Sequence, residues 1–287
     1  MMSKFCVFIL THKRPDNVKT VKMLRRSNYT GDIFLVVDDE DPTVEEYREK
    51  HGKSVVVFSK GEAEAITDTI DNEPVHRGVV YARNWVWNIA REKGYDYFLV
   101  LDDDYTDIYY KHPSEKKGGG MELRQIPCRQ LDQLFEAMVQ FLIVSGAKTV
   151  AFAQSGDFLG GLAGSFRWQG IARKAMNSFF CATDRQFSFV GRINEDVNMY
   201  LLEGIRGGLI MTITRMGVQQ LQTQKATGGL TEIYLDTGTY VKSFYSVIVA
   251  PSCVKVGELG ETHKRVHHRV AWNNAVPKIL NERLKKG

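Results

Sequence analysis

Apolar residues in this chain come in short, nearly unbroken runs, with polar residues in blocks between them. KFCVFIL (4–10), IFLVV (33–37), SVVVF (54–58) and YFLVL (97–101) are of strand length and lack the alternation of a half-exposed strand. Continuous apolarity is the pattern of strands covered on both faces. The segments between them read as helices. DNVKTVKMLRRSN (16–28) has Asp16 where an N-cap would stand, and TVEEYREKHG (43–52) closes on Gly52. Across 78–93, Ala82, Trp85, Val86, Ile89 and Ala90 recur at spacings of three and four, which is one helical face. Strand and helix in strict alternation predict a parallel sheet with helices on its faces.

The second half is less regular. EKKGGG (115–120) reads as a mobile loop, RQLDQLFEAMVQFLIVSG (129–146) as a helix and TVAFAQ (149–154) as a strand. QSGDFLGGLAGS (154–165) reads as a glycine-rich loop, and FSFVGRINED (187–196) as a strand running into EDVNMYLLEGI (195–205), a helix. GLIMTI (208–213) reads as another strand. No internal repeat and no linker composition divides the chain, so one domain over 1–287 is expected.

Composition narrows the class. With 43% hydrophobic and 25% charged residues in 287, the chain is of ordinary globular make-up. The apolar runs are too short for a transmembrane helix, and MMSKFCVFIL lacks the longer apolar core of a leader peptide. Four scattered cysteines (Cys6, Cys128, Cys181, Cys253) form no CxxC pair, which suits a reducing compartment and argues against a zinc ribbon. The net charge of +4 is uneven: 263–287 holds seven Lys or Arg and one acid, Glu282. That segment is either a solvated tail or a contact for phosphate.

In a parallel α/β sheet, ligands bind beyond the carboxyl ends of the strands. Those ends carry Thr11-His12-Lys13-Arg14, Asp38-Asp39 and Asp102-Asp103-Asp104. The three aspartates offer hard oxygen ligands to Mg²⁺ or Mn²⁺, with a solvated acidic turn as the plainer reading. Continued strand geometry would aim Asp102 and Asp104 one way and Asp103 the other. Asp38 or Asp39 suits the hydrogen bonds of a nucleoside, or a solvated turn. Arg83 and Asn84 lie off the apolar face of their helix, so Arg83 either binds phosphate or pairs on the helix surface. In Asn194-Glu195-Asp196, a helix cap and a general base are compatible. His263 and His267 would share a helical face, as a metal ligand or as part of a basic surface. No G-x-G-x-x-G and no Walker lysine follow the first strand, which disfavours dinucleotide dehydrogenases and P-loop NTPases.

These elements together resemble a GT-A glycosyltransferase, a Rossmann-like nucleotide-diphospho-sugar transferase fold. FILTHKRPDN, VVYARN, YFLVLDDDYT, KAMNSFFCATDR, FVGRINEDVN, GGLTEIYLDTGTYVKSFYSV and WNNAVPKIL resemble, more closely, the TET-associated glycosyltransferase family of bacteriophages. The resemblance implies sugar transfer from a nucleotide sugar, UDP-linked, onto 5-hydroxymethylcytosine or a related 5-hydroxymethylpyrimidine of double-stranded phage DNA, in the cytoplasm of the infected host. It implies a nucleotide-sugar half (1–104), an acceptor-binding and catalytic half (105–262) and a basic C-terminal segment (263–287). It puts Mn²⁺ or Mg²⁺ on Asp104 and Asp102, with His263 as a further ligand. Thr11, His12, Arg14, Asp38, Asp39, Arg83, Asn84, Asp102 and Asp103 fall to the nucleotide sugar, and Asp196, with Glu195 behind it, to the base. DNA phosphates are expected on loops 111–129 and on Lys264, Arg265, His267, His268 and Arg269. A GT-A enzyme with a glycan or protein acceptor, and a non-catalytic nucleic-acid-binding protein, are the rival readings.

Overall fold

The computed structural model describes residues 4–72, 77–158, 171–172, 174–220, 241–259 and 265–275, with the single positions 162 and 282. The expected alternation is present: β1 (Phe5–Leu10), α1 (Lys19–Arg26), β2 (Asp32–Asp38), α2 (Val44–His51), β3 (Val55–Phe58), α3 (Lys60–Ala65), α4 (Val80–Lys93) and β4 (Tyr97–Asp102). These four strands lie parallel in the order β3-β2-β1-β4, with Leu10 beside Asp102 and Leu10 beside Val36. The carboxyl ends of β1, β2 and β4 are therefore neighbours, as the alternation requires.

Continuous apolarity has the expected cause. Along β1, Cys6, Phe8 and Leu10 enter one core, and Val7 and Ile9 enter the other. The first core holds α4, whose Trp87 packs edge-on against Phe98 and Phe187 at 5.4 and 4.9 Å. The second holds α1, through Met23 and Leu24, and α5 (Leu131–Ser145), through Phe135 and Leu142. α4 ends at Gly94, whose φ of 72° is a left-handed closure that glycine adopts without strain.

Beyond β4 the sheet becomes mixed. β5 (Tyr105–Glu115), β6 (Met121–Pro127), β7 (Thr149–Ala153), β9 (Ser178–Ala182) and β10 (Ile210–Gln220) extend it in the order β4-β9-β7-β10-β5-β6, and the short β8 (Ile171–Ala172) pairs with β10 off this path. β9 runs antiparallel between β4 and β7, and β10 carries β5 antiparallel on its far side. The helix α6 (Glu195–Ile205) lies between β9 and β10 in sequence. A further helix, α7 (Val241–Val249), packs with the antiparallel pair β11 (Val254–Leu259) and β12 (Arg265–Val270) beside α6.

Three sequence expectations need correction. The run 115–120 is the turn of the β5–β6 hairpin, so 111–127 is a ribbon, not a loop. Residues 187–194 form no strand; Phe187 and Phe189 are apolar because they pack on Trp87. The histidine segment is a strand where it is described, so His267 lies in β12 rather than on a helical face, and His263, expected to share that face, lies outside the described residues. All four cysteines are buried and free. Among the described residues, no helix is long and apolar enough to cross a membrane.

Candidate active site

Where β4 ends, the chain turns through Asp103 and Asp104 into β5, and α1 holds that turn. Thr20 Oγ1 donates to the Asp102 carbonyl at 2.6 Å and accepts from the Tyr105 N–H at 3.0 Å. The Thr20 N–H reaches the Asp103 carbonyl at 3.2 Å. Because the strand stops at Asp102, the three aspartates do not follow strand alternation, and each has its own environment.

Asp103 is buried and fully engaged. Thr11 Oγ1 donates to its Oδ2 at 2.7 Å, and Arg14 Nη1 meets its Oδ1 at 3.0 Å. Tyr47 Oη lies 2.7 Å from Thr11 Oγ1 and accepts the Arg14 N–H at 2.8 Å. Thr11, Arg14 and Asp103, expected to bind the nucleotide sugar, tie β1 to the β4–β5 turn. Asp103 thus turns its carboxylate towards β1, held there by Thr11 and Arg14 rather than by strand alternation.

Asp102 faces the other way, towards Arg83. That arginine is only 2% exposed and lies beneath the strand end. Its Nη2 reaches Asp102 Oδ1 and Asn177 Oδ1, each at 3.2 Å, and its Nη1 pairs with Glu195 Oε1. The guanidinium also lies over the rings of Phe179 and Phe189, at 5.2 and 5.6 Å. Burial opposes its charge, but Glu195, Asp102 and Asp196 outweigh burial and hold Arg83 charged. It is neither a surface pair nor open to phosphate. Asn84 is also structural: its amide donates to the Phe189 carbonyl at 2.9 Å and accepts the Phe189 N–H at 2.8 Å.

Asp104 lacks such partners. Its Oδ1 is buried without a hydrogen bond. Burial, then the charges of Asp102 and Asp103, push its carboxyl up to about 7, with Arg14 opposing. This is the acid among the three that lacks a cation. Among the described residues no three His, Cys, Asp or Glu side chains converge as a preformed metal cage. One or two carboxylates completed by substrate phosphates is, however, the ordinary way Mg²⁺ is held. Asp104 and Asp102 fit that pattern. His263 and Lys264 lie outside the described residues.

At the end of β2, Asp38 is buried between two donors. His12 Nδ1 lies 2.8 Å from its Oδ2, and Lys60 Nζ lies 3.3 Å from its Oδ1. Burial raises its pKa, but His12 and Lys60 together lower it further, so it is held below the usual carboxylate range. Both Asp38 oxygens are thus occupied. Asp39 is exposed, with one oxygen accepting the Lys60 N–H at 2.9 Å. Asp39 retains the acceptor capacity for a nucleoside.

α6 brings the last acids in. Asn194 precedes it at φ 57° and does not cap it with its side chain; its amide donates to the Lys242 carbonyl at 2.6 Å and lies 3.4 Å from His268 Nδ1. Asp196 Oδ1 accepts the Val197 N–H at 2.7 Å. Burial pushes both Glu195 and Asp196 upward, against the pull of Arg83. Of the residues expected to meet DNA, Arg265, His267, His268 and Arg269 lie in β12. Burial, then His267 and Lys242, push His268 down to about 4, so it is neutral near pH 7. Arg269 donates to the Glu258 carbonyl and lies against Gly257, and Arg265 opens β12. The described part of the basic segment is folded, with Trp272 stacked on Tyr200 of α6 at 5.6 Å. Sequence reasoning does not single out Thr20, Tyr47, Lys60 or Asn177; Asn177, left-handed within KAMNSFF, stands in a quoted family motif, and nothing in its neighbours reveals its partner.

The family model described as TET-Associated Glycosyltransferase matches residues 5–229. No curated protein is significantly similar in sequence. Among solved structures, the chain is similar to glucosyl-3-phosphoglycerate synthase from Mycobacterium tuberculosis in complex with Mg²⁺ and UDP, at 10% identity over 94% of this chain and 88% of that one, TM-score 0.45. It is similar to the mannosyltransferase PcManGT from Pyrobaculum calidifontis in complex with GDP-Man and Mn²⁺, at 12% identity over 87% and 74%, TM-score 0.46. S. aureus TarS 1–349 matches at 15% identity over 75% and 59%, TM-score 0.41. At these values the likenesses say nothing of donor, metal or acceptor.

Two outcomes are expected. Asn84→Ala strands the buried Phe189 N–H and C=O and should cost about 2–4 kcal/mol in a urea titration. For Asp104 the folded pKa lies above the unfolded one, so its unfavourable ionisation grows as pH rises from about 4 to about 7. In EDTA, wild type should lose melting temperature from pH 5 to 8 relative to Asp104→Asn. Added Mn²⁺ should raise the wild-type melting temperature at pH 8 and leave that of the variant nearly unchanged.

Proposed function

The chain belongs to the TET-associated glycosyltransferase family, and from that premise we propose that this glycosyltransferase moves a sugar from a UDP-linked donor to 5-hydroxymethylcytosine, or a related 5-hydroxymethylpyrimidine, in double-stranded phage DNA within the infected cell. One observation carries the chemistry: buried Arg83 holds Asp102, at the donor end of β4, against Glu195, at the start of α6. Donor and acceptor chemistry are thereby brought to one place.

Each acid then has a distinct task. Asp39 accepts hydrogen bonds from the nucleoside. Asp104, with Asp102, would hold Mn²⁺ or Mg²⁺, which supplies positive charge against the departing diphosphate when bound. Glu195 is committed to Arg83. Asp196 is fixed at one oxygen by the Val197 N–H, and burial raises its pKa towards the range in which a carboxylate is an effective base. In an inverting transfer it takes the proton of the acceptor hydroxymethyl group.

The test is mass spectrometry of nucleosides from hydroxymethylated duplex DNA incubated with nucleotide sugars and Mn²⁺. Wild type should yield a glycosylated hydroxymethyl nucleoside and none from unmodified cytosine. Asp196→Asn should lower the rate by about 10²–10⁴-fold while UDP still binds. A wild-type rate in that variant would overturn the base; transfer to a glycan or protein with none to DNA would overturn the acceptor.

A further inference from the structure

The longest feature left unused by this chemistry is the β5–β6 hairpin. β10 pairs with β5 only as far as Tyr110, opposite Met216. From Lys111 onward β5 pairs with β6 alone, Lys111 opposite Gln125 through Glu115 opposite Met121. Gly118, Gly119 and Gly120 close the turn, all at positive φ. Among the described residues no third strand joins this ribbon. Met121 and Ile126 are 50% and 41% exposed. A lone two-stranded ribbon is marginal in water, and its open edges are a liability unless something uses them.

We infer that the ribbon 111–125 is the element that docks duplex DNA, lying in the major groove about one helical turn from the target base. The inference rests on the DNA acceptor proposed above. Its charge is complementary: Lys111, Lys116, Lys117 and Arg124 outnumber Glu115 and Glu122. Lys116, Lys117 and Arg124 make no ion pair among the described residues, so they keep their charge for a partner. Its shape is complementary as well. A two-stranded ribbon fits the B-form major groove, about 12 Å wide, whereas the deep, narrow groove of A-form RNA excludes it. The C5 substituent of a pyrimidine, where the acceptor hydroxyl is carried, projects into that same groove.

Position adds a length. β5 begins directly after Asp104. At about 3.3 Å per residue the turn lysines lie about 40 Å along the chain from the site. That is close to one turn of B-DNA, about 34–36 Å. The ribbon strand β5 follows directly on the turn that carries Asp103 and Asp104, so it sets the register of duplex against site.

The test compares wild type with Lys116→Glu/Lys117→Glu/Arg124→Glu, all at exposed positions, and with the matching Gln variant. Fluorescence anisotropy with a 30-base-pair hydroxymethylated duplex should show at least about tenfold weaker binding for the Glu variant. The slope of log affinity against log salt should fall by about three for three lost phosphate contacts. UDP binding and the thermal melt should be unchanged. Wild-type transfer should drop on duplexes with only five base pairs on each side of the target. Equal DNA binding and transfer by wild type and both variants would overturn the ribbon and leave the acceptor standing. Failure of wild type to bind or modify the duplex, with transfer to another acceptor, would overturn the acceptor and the ribbon with it. Preference for duplex RNA of the same length would overturn the groove assignment.

Discussion

A single buried guanidinium makes this acidic site possible. Asp102, Glu195 and Asp196 gather at the end of β4 and the start of α6, and burial there opposes the negative charges of Glu195 and Asp196. Arg83 touches two of them and is itself 2% exposed. Its planar fork can serve carboxylates in two directions while Phe179 and Phe189 take its face, a geometry lysine could not reproduce. A buried ion pair is a poor source of net stability, but breaking one leaves an unpaired charge at high cost. Arg83 is best understood as the group that permits the acids to be where the chemistry wants them.

The other acids divide by whether the protein satisfies them. Asp38 has His12 and Lys60, and Asp103 has Thr11 and Arg14. Those pairs fix β1, β2 and the β4–β5 turn to one another. Asp104 has a buried oxygen with no partner and a carboxyl pushed up to about 7. The frame is neutralised from within, whereas Asp104 is left without an ion pair among the described residues. Such local inconsistency, inside a region otherwise consistent, is where function is expected.

Much of this was legible in the sequence. The parallel half of the sheet followed from four apolar runs, because burial on both faces leaves no room for polar alternation. The strand ends then located the site without reference to any motif. The partners were not legible. Arg83 and Asn84 lay off the apolar stripe and looked exposed, but loop 187–194 and α6 return more than a hundred residues later to cover them. Spacing rules along one helix cannot see a cover supplied by distant sequence. The separation of Asp102, Asp103 and Asp104 depended on where the strand stopped, and Thr20 decided that. The His267-His268 strand and the 111–127 ribbon were misread because basic and glycine-rich stretches carry little periodicity.

The claim that Arg83 is the counter-charge holding α6 to β4 is tested most directly by a double-mutant cycle in denaturant. Arg83→Met alone should cost about 3–5 kcal/mol, since it leaves buried carboxylates unpaired. Glu195→Gln in the Arg83→Met background should then cost little or restore stability, giving a coupling above about 2 kcal/mol. Additive losses, within about 0.5 kcal/mol, would contradict the account.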